Sequence, residues 1–271
     1  MILAPVLWST AGVVTRHVER AAPFEQVFWR SLFAALFVAF VLFFTKQKPQ
    51  FGRATLFSGA MWAVMFTAFV VALSLTTTAN TLVVMSIAPL LTAFLSFVIL
   101  KDKVSARTWL AAGGAALGIA WMFHNGLVGG HLAGMLVALL IPFASAANLI
   151  ALRAGAARVD LVPAVMLGGA LSCLIALPFA LPFNASAKDL LLLGSLGMFQ
   201  LGLPCMLLVV ASRTLHPAEI ALLGLLEVVL GPLWAWLGAG EVPGIATLYG
   251  GAVVLAALVL NEISTMREKP V

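Results

Sequence analysis

The sequence predicts an all-α membrane protein of ten transmembrane helices, arranged as two inverted five-helix repeats around a central cavity. Of the 271 residues, 63% are hydrophobic and only 9% are charged, whereas a soluble domain carries roughly 25% charged residues. The apolar residues form long runs with short polar connections between them, and stretches of the two halves align with each other. Too little polar surface remains to cover a water-soluble domain, so we expect the chain to lie in a lipid bilayer.

Ten apolar segments are long enough, or nearly so, to cross a bilayer as helices, which takes about 20 residues. Their boundaries follow charged residues and clusters of Gly, Pro, Asn and Asp. No basic stretch precedes the first segment and no A-x-A cleavage pattern follows it, so we interpret it as a helix and not as a signal peptide. Segments 1 to 10 cover residues 1–17, 25–45, 54–74, 79–100, 105–123, 131–152, 161–183, 188–212, 217–237 and 244–263.

Lysine and arginine are distributed unequally between the two sides of the predicted bundle. The connections after the even-numbered segments, with the C-terminal tail, hold Lys46, Lys48, Arg53, Lys101, Lys103, Arg107, Arg153, Arg158, Arg213, Arg267 and Lys269. The other side holds Arg16, Arg20 and Lys188. Because basic residues stay on the cytoplasmic side, we predict that both termini are cytoplasmic. The scattered net charge of +5 gives no reason to expect a nucleic-acid partner.

An internal repeat divides the chain into two halves. Residues 70–82, VVALSLTTTANTL, align without a gap over residues 209–221, VVASRTLHPAEIA, and the turn at Lys101-Asp102 then lies over Gly240-Glu241. We predict one repeat over 1–124, a second over 131–263 and a tail over 264–271. Five segments per half is an odd number, so the second half enters the membrane from the opposite side. Transporters with this architecture bind their substrate near the midplane, between the halves.

Several stretches resemble a known family. MSIAPLLTAFLSFVILKDKVSARTWLAAGGAALGIAW, with Pro89, an acidic turn and Gly118, resembles the EamA-type repeat of the drug/metabolite transporter superfamily. LLEVVLGPLWAWLGAGEVPG is similar to the equivalent part of the second half, and VLWST and SAANLIALR are similar to other recurrent positions. The resemblance implies a multi-pass exporter of the bacterial inner membrane for small metabolites, commonly amino acids. It also implies alternating access through a central cavity.

Two charged residues lie inside apolar segments. Arg30 in segment 2 costs about 3 kcal/mol in hydrocarbon, so its side chain must face the bundle, a watery cavity or the interface. It either contacts a substrate carboxylate or forms a static contact, for which Glu25 and Gln26 are near in sequence. Glu227 lies near the predicted midplane of segment 9. It either takes part in proton coupling or binding of a substrate amine, or is a neutral carboxyl bonded to a neighbouring helix.

Uncharged candidates complete the predicted substrate site. Trp8 and Trp62 lie well inside their segments and could line an aromatic pocket, although packing is the alternative for each. Short polar side chains suit a cavity for small polar metabolites, with interhelical hydrogen bonding as the alternative. These polar candidates are Ser9, Thr10, Asn80, Asn148 and Gln200. Prolines that interrupt segments are interpreted as gating hinges: Pro89, Pro142, Pro204 and Pro232.

Other function classes lack their characteristic residues. An intramembrane lipid-modifying enzyme needs paired carboxylates, a HExxH or a similar cluster at membrane depth, and the segments contain none. An ion channel needs a filter loop, for which the short connections leave no room. We expect no cofactor and no metal, and the partners to be a small-molecule substrate and the lipid bilayer. A monomer would suffice, and a dimer remains open, as does a drug exporter or an uptake permease of the same fold.

Overall fold

The computed structural model describes residues 2–46, 49–100, 131–155, 160–213 and 217–267, together with most of 106–121. Within these ranges the chain is helical and contains no strand. The turn at Lys101-Asp102 and residues 268–271 of the predicted tail lie outside the described residues. An all-α architecture is therefore confirmed for the described part of the chain.

Helices follow the predicted segments closely. The first half contains α1 (Leu3–Ser9), α2 (Ala11–Thr15), α3 (Pro23–Phe44), α4 (Arg53–Leu75), α5 (Thr78–Met85), α6 (Ala88–Leu95), a π-helical segment π1 (Ser96–Leu100) and α7 (Trp109–Gly118). The second half contains α8 (Leu132–Gly155), α9 (Val162–Ala180), α10 (Ala187–Ser195), the π-helical segment π2 (Leu196–Gly202), α11 (Leu203–Ala211), α12 (Pro217–Ala239) and α13 (Ile245–Arg267).

Among the described residues, six helical stretches are long and apolar enough to cross a membrane. They are Pro23–Phe44, Arg53–Leu75, Thr78–Ile99, Leu132–Leu152, Val162–Ala180 and Ala187–Ala211. Shorter apolar helices lie at Leu3–Thr15, Trp109–Gly118, Leu226–Ala239 and Ile245–Ala257. Each of the ten predicted segments overlaps one of these stretches, but only six of the stretches are long enough to span a bilayer. These lengths and compositions indicate a multi-pass membrane protein, and the number of ten spanning helices stays a prediction.

Helix α3 shows how apolar residues are divided between the exterior and the interior. Leu36 and Phe40 are exposed on one face, while Ala34 and Val38 are buried on the other. Large exposed apolar side chains recur on other helices, for example Leu174. A soluble protein rarely exposes such large contiguous apolar surface, so this exterior fits contact with lipid.

Segments from the two predicted halves pack against each other. Helix α3 packs on α9, and α4 packs between α8 and α9. Helix α12 packs against α1, α2 and α5, while π2 packs on α3. At the crossing of π2 and α3, a Cβ at Gly197 would overlap the carbonyl oxygen of Arg30. Glycine there lets the two backbones approach closely, as is usual between membrane helices.

The eighth segment is interrupted at the position of Pro204. Proline lacks an N–H and its ring clashes with the carbonyl four residues earlier, which here belongs to Gln200. The segment widens into π2 immediately before this proline, and the N–H of Leu203 bonds the carbonyl of Met198, five residues back. Pro89 lies in the first turn of α6, just after a break in its segment, whereas Pro142 and Pro232 lie inside continuous helices.

At one end of the bundle, here called the Glu241 end, the carboxylate of Glu241 connects several helix ends. Arg16 Nε donates to Glu241 Oε2 at 2.9 Å, and its Nη2 donates to the carbonyl of Thr76 at 3.0 Å. The Glu241 carboxylate also accepts the backbone N–H and the hydroxyl of Thr78 at the start of α5. The ends of α2, α4 and α12 and the start of α5 are therefore tied together.

Two further carboxylates join the starts of α3 and α10 near this end. Glu25, which is fully buried, accepts the backbone N–H groups of Asn184 (3.0 Å) and Ala185 (2.8 Å). Asp189, also fully buried, accepts the N–H groups of Glu19 (2.9 Å) and Arg20 (3.1 Å). Each carboxylate thus binds the backbone of the loop that precedes the other helix. The suggested contact of Glu25 with Arg30 is replaced by these bonds to the loop.

Candidate functional site

The buried guanidinium of Arg30 lies at the centre of a polar cluster. Arg30 is two turns into α3 and only 4% exposed. Its Nη2 donates to Gln200 Oε1 at 2.8 Å. The guanidinium carbon lies 5.2 Å from the ring centroid of Phe69 on α4, which gives a cation–π contact. A membrane-interior arginine is thus held by a neutral amide and an aromatic face.

Gln200 connects this arginine to the first helix. It lies in π2, is buried, and donates from Nε2 to the carbonyl of Trp8 on α1 at 3.3 Å. Three separate segments therefore meet through one side chain. Single-turn π-helical widening is frequent at functional sites, and here it sets the position of Gln200.

Ser9 extends the cluster to α12. Its hydroxyl is buried, donates to the carbonyl of Val6 at 2.7 Å and accepts from Trp234 Nε1 at 3.2 Å. Glu227 lies two turns before Trp234 on the same helix, is half-buried, and is close enough to Arg30 for the two charges to interact. The structure thus brings together five of the predicted site residues: Trp8, Ser9, Arg30, Gln200 and Glu227.

Two buried donors in this region have no hydrogen-bond partner among the described residues: Arg30 Nε and Trp62 Nε1. Trp62 is 4% exposed and stacks on Phe66, with ring centroids 5.5 Å apart. Trp8 packs against the same apolar cluster as Trp62. An unpaired buried donor costs about 1–3 kcal/mol, and both of these could be satisfied by a ligand rich in acceptors, such as a carboxylate.

Three of the predicted site residues form hydrogen bonds away from the Arg30 cluster. Asn80 donates to Thr76 Oγ1 at 2.9 Å and accepts from Thr247, towards the Glu241 end. Asn148 accepts from Ser58 Oγ at 2.6 Å and links α8 to α4. Thr10 donates to the carbonyl of Leu7 at 2.7 Å, within its own turn. None of these bonds joins them to Arg30.

Phe69 could not be identified from the sequence as a member of the cluster, because a phenylalanine in an apolar helix gives no distinctive signal. The widening at π2 had a signal in the sequence. Glycines and Pro204 flank Gln200 in GSLGMFQLGLP, a combination that weakens a regular helix.

Metal-binding side chains are not grouped in the described part of the chain. No set of three His, Cys, Asp or Glu residues there could hold an ion. Cys173 and Cys205 are both free and buried. The chemistry available in the Arg30 cluster is therefore that of hydrogen bonding, charge and aromatic surface.

Comparison with known proteins agrees with this architecture. A crystal structure, described only as that of a protein, aligns with 97% of this chain and 96% of its own, with a TM-score of 0.69 and 18% identity, which shows a shared fold. No curated protein matches the sequence. Residues 1–124 match the model of the EamA-like transporter family. This match confirms the resemblance to EamA-type proteins of the drug/metabolite transporter superfamily and indicates that the chain is a membrane transporter.

Proposed function

We propose that the protein exports small metabolites from the cytoplasm, with amino acids, especially aromatic or other apolar ones, as the first candidates. The observation that carries the proposal is the buried Arg30, which is held by a neutral amide and keeps an unpartnered Nε among the described residues. Arginine forms paired hydrogen bonds with carboxylates through its planar guanidinium. A substrate carboxylate would supply the charge and the acceptors that this site needs.

The remaining members of the site fit the other parts of an amino acid. Trp8 and Trp62 offer apolar and aromatic surface for a side chain, and Ser9 offers a hydroxyl close by. Glu227 on α12 would bind the substrate amine or carry a proton during coupling. Thr10, Asn80 and Asn148 stay in the proposal as polar positions along the path, although their bonds lie apart from Arg30.

Alternating access between two inverted halves is supported by how the segments pack. Segment 3 packs on 6 and 7, and segment 8 packs on 1 and 2. Segment 4 packs on 6, and segment 9 packs on 1; segments 2 and 7 pack together, as do 4 and 9. When every segment number is changed by five, this set of pairs maps onto itself. That is the pattern expected of two repeats related by a two-fold axis, and an odd number of segments in each repeat would place this axis in the membrane plane.

In the proposed mechanism the halves rock about the Arg30 cluster. Pro89, Pro142, Pro204 and Pro232 would provide the positions at which helices bend. Both termini would lie in the cytoplasm and the protein in the inner membrane, because lysine and arginine concentrate on one side. A single chain would be sufficient for transport, because both halves of the site come from it.

Efflux from loaded proteoliposomes, with and without a proton gradient, tests this function. We expect at least one of the twenty amino acids to leave the wild-type vesicles. Arg30→Ala should slow its efflux at least tenfold, because the charged contact with the carboxylate is lost. Glu227→Gln should remove the dependence on the proton gradient. Glu19→Gln is the matched control, because Glu19 is exposed and pairs only with Lys188 among the described residues.

Counterflow decides between the substrate classes. Exchange of a drug or another metabolite without any amino acid would move the assignment to another substrate of the same fold. Absence of exchange for every amino acid, drug and nucleotide-linked metabolite would show that the proposal is wrong. Unchanged efflux in both charged variants would make Arg30 and Glu227 structural residues.

A further inference from the structure

We infer that Gln200 is a positioning residue that makes the site selective for a carboxylate, because it orients Arg30 without neutralising it. The inference rests on the proposed function and assigns to Gln200 a role different from direct substrate contact. Its basis is the joint arrangement of the Arg30 guanidinium, the Gln200 amide and the Trp8 carbonyl.

The orientation of the Gln200 amide follows from its two neighbours. Its oxygen accepts from Arg30 Nη2 and its nitrogen donates to the Trp8 carbonyl. A flipped amide would place two donors together at Arg30 and two acceptors together at Trp8. The amide therefore presents its oxygen to the guanidinium, and both bonds restrict the rotamer of Arg30.

The charge of the cluster follows from the same contacts. An amide oxygen accepts a hydrogen bond but carries no net charge, so the positive charge of Arg30 is not cancelled by its nearest partner. A buried charge that lacks an oppositely charged partner is energetically costly. Glu227 on α12 reduces this cost from a distance, and Arg30 Nε remains without a partner in the described residues. An anionic ligand group would complete the site.

The backbone at this crossing is held independently of the Gln200 side chain. Gly197, three residues earlier in π2, brings the backbone against the carbonyl of Arg30. Phe33 on α3 also lies beside Gly197. Substitution of Gln200 by a residue of similar size should therefore change the electrostatics of the site while the packing of π2 on α3 remains.

Gln200→Glu is the deciding variant, because its carboxylate would pair with Arg30 internally. Gln200→Met removes the acceptor without adding charge. Gln50→Glu is the control, because it makes the same exchange of an amide for a carboxylate at an exposed position in the connection between α3 and α4. Ligand binding is measured as thermal stabilisation of the purified full chain by the twenty amino acids and by their primary amides.

In the wild type we expect at least one amino acid to bind tenfold or more tightly than its amide. Gln200→Glu should reduce this preference to about onefold or reverse it, Gln200→Met should reduce it in part, and Gln50→Glu should leave it unchanged. If Gln200→Glu does not fold, the preference measured for Gln200→Met decides, and an unchanged value there overturns the inference.

The failures of the two proposals are distinguishable. A wild-type preference that persists in Gln200→Glu overturns the positioning role and leaves the proposed function intact. An equal loss in Gln50→Glu also overturns it, because the effect is then not specific to the Arg30 cluster. A wild type that binds no amino acid removes the assignment of amino acids as substrates and this inference with it.

Discussion

At the scale of single residues, Arg30 is held where an isolated arginine would be unfavourable. Its transfer to a bilayer centre costs about 3 kcal/mol on insertion scales. A hydrogen bond to Gln200 and the ring of Phe69 offset part of this cost; a desolvated cation–π contact contributes about 2 kcal/mol. The residue is therefore stable in the fold while one donor remains available for a ligand.

Gly197 should be intolerant of a side chain. Gly197→Ala places a Cβ against the carbonyl oxygen of Arg30, and overpacking of this kind costs about 1–3 kcal/mol. The control is Gly224→Ala on α12, where a Cβ would meet nothing within 4 Å and alanine favours the helix by about 1 kcal/mol. We expect a lower melting temperature in detergent for the first variant and an equal or higher one for the second. Equal melting temperatures for both variants would contradict the close approach at Gly197.

At the scale of elements, the eighth segment combines two helical geometries, α and π, in three consecutive stretches. Helix α10 begins with a capping box between Ser186 and Asp189, which satisfies its first N–H groups. The segment then widens into π2 and resumes as α11 at Pro204. An uninterrupted α-helix would have turned Gln200 to a different direction. The irregular part of this segment is thus the part that contributes to the site.

The contacts of Glu241 should keep the Glu241 end closed in this conformation. Glu241→Gln removes the charge that pairs with Arg16 and weakens the bonds to Thr78. A loss of about 1.4 kcal/mol, within the range for charged hydrogen bonds, would shift an opening equilibrium tenfold. With Ala79→Cys as a buried reporter in a chain whose native cysteines are replaced, we expect about tenfold faster labelling by an impermeant maleimide.

Glu19→Gln serves as the control for this labelling, because its ion pair with Lys188 is exposed. It should leave the labelling rate of the reporter unchanged. If the reporter is labelled equally fast with and without the Glu241→Gln substitution, these contacts do not restrict opening.

At the scale of the whole molecule, the chain places large apolar side chains outside and short polar ones inside. Leu36 and Phe40 are exposed, whereas Ser31, Ser58 and Ser172 are buried and hydrogen-bonded to partners on other helices. Lipid provides no hydrogen-bond partners, so polar groups within the bilayer must find them inside the bundle. Within the described residues, this arrangement fits a bundle whose sides face lipid and whose two ends face water.

The predicted orientation of the molecule can be measured at these ends. Asn184 and Gln50 are both exposed and lie in connections at predicted opposite sides of the membrane. In intact cells, an impermeant maleimide should label Asn184→Cys, and it should label Gln50→Cys only after permeabilisation, because the lysine- and arginine-rich side is predicted to be cytoplasmic. Labelling of both cysteines in intact cells, or the reverse order, would contradict the assignment.

The helical segments could be predicted from sequence because lipid imposes a simple rule on length and polarity. The second segment, predicted as 25–45, is observed as α3 at Pro23–Phe44. The partners of the buried charges could not be predicted. Gln200 is far from Arg30 in sequence, and only the packing of π2 on α3 brings them together. Glu25 is near Arg30 in sequence, yet backbone N–H groups from a distant loop take its carboxylate.

Asn80 is a second example, because the sequence predicts it in the same substrate site as Arg30 without showing which residues it contacts. Its position near the start of a segment is compatible with a cavity or with an interhelical bond. In the structure its amide donates to Thr76 Oγ1 and accepts from Thr247, so at least the interhelical bond is formed. A lone polar residue in an apolar helix indicates a partner but does not identify it.

Glu25 and Asp189 each bind a loop through the backbone N–H groups of that loop. These bonds do not depend on which side chains the loop residues carry. Residues 19, 20 and 184 can therefore vary with little effect on how α3 and α10 are joined, provided that none of them becomes proline, whereas Ala185 also packs against the apolar cluster that contains Leu193 and Leu196 of the segment that follows it. The two acids have no such freedom. In related chains we therefore expect the two carboxylates to be conserved and the loop residues beside them to vary. An insertion at 184–185 should disturb the fold more than a substitution there, because it moves the N–H groups that Glu25 binds.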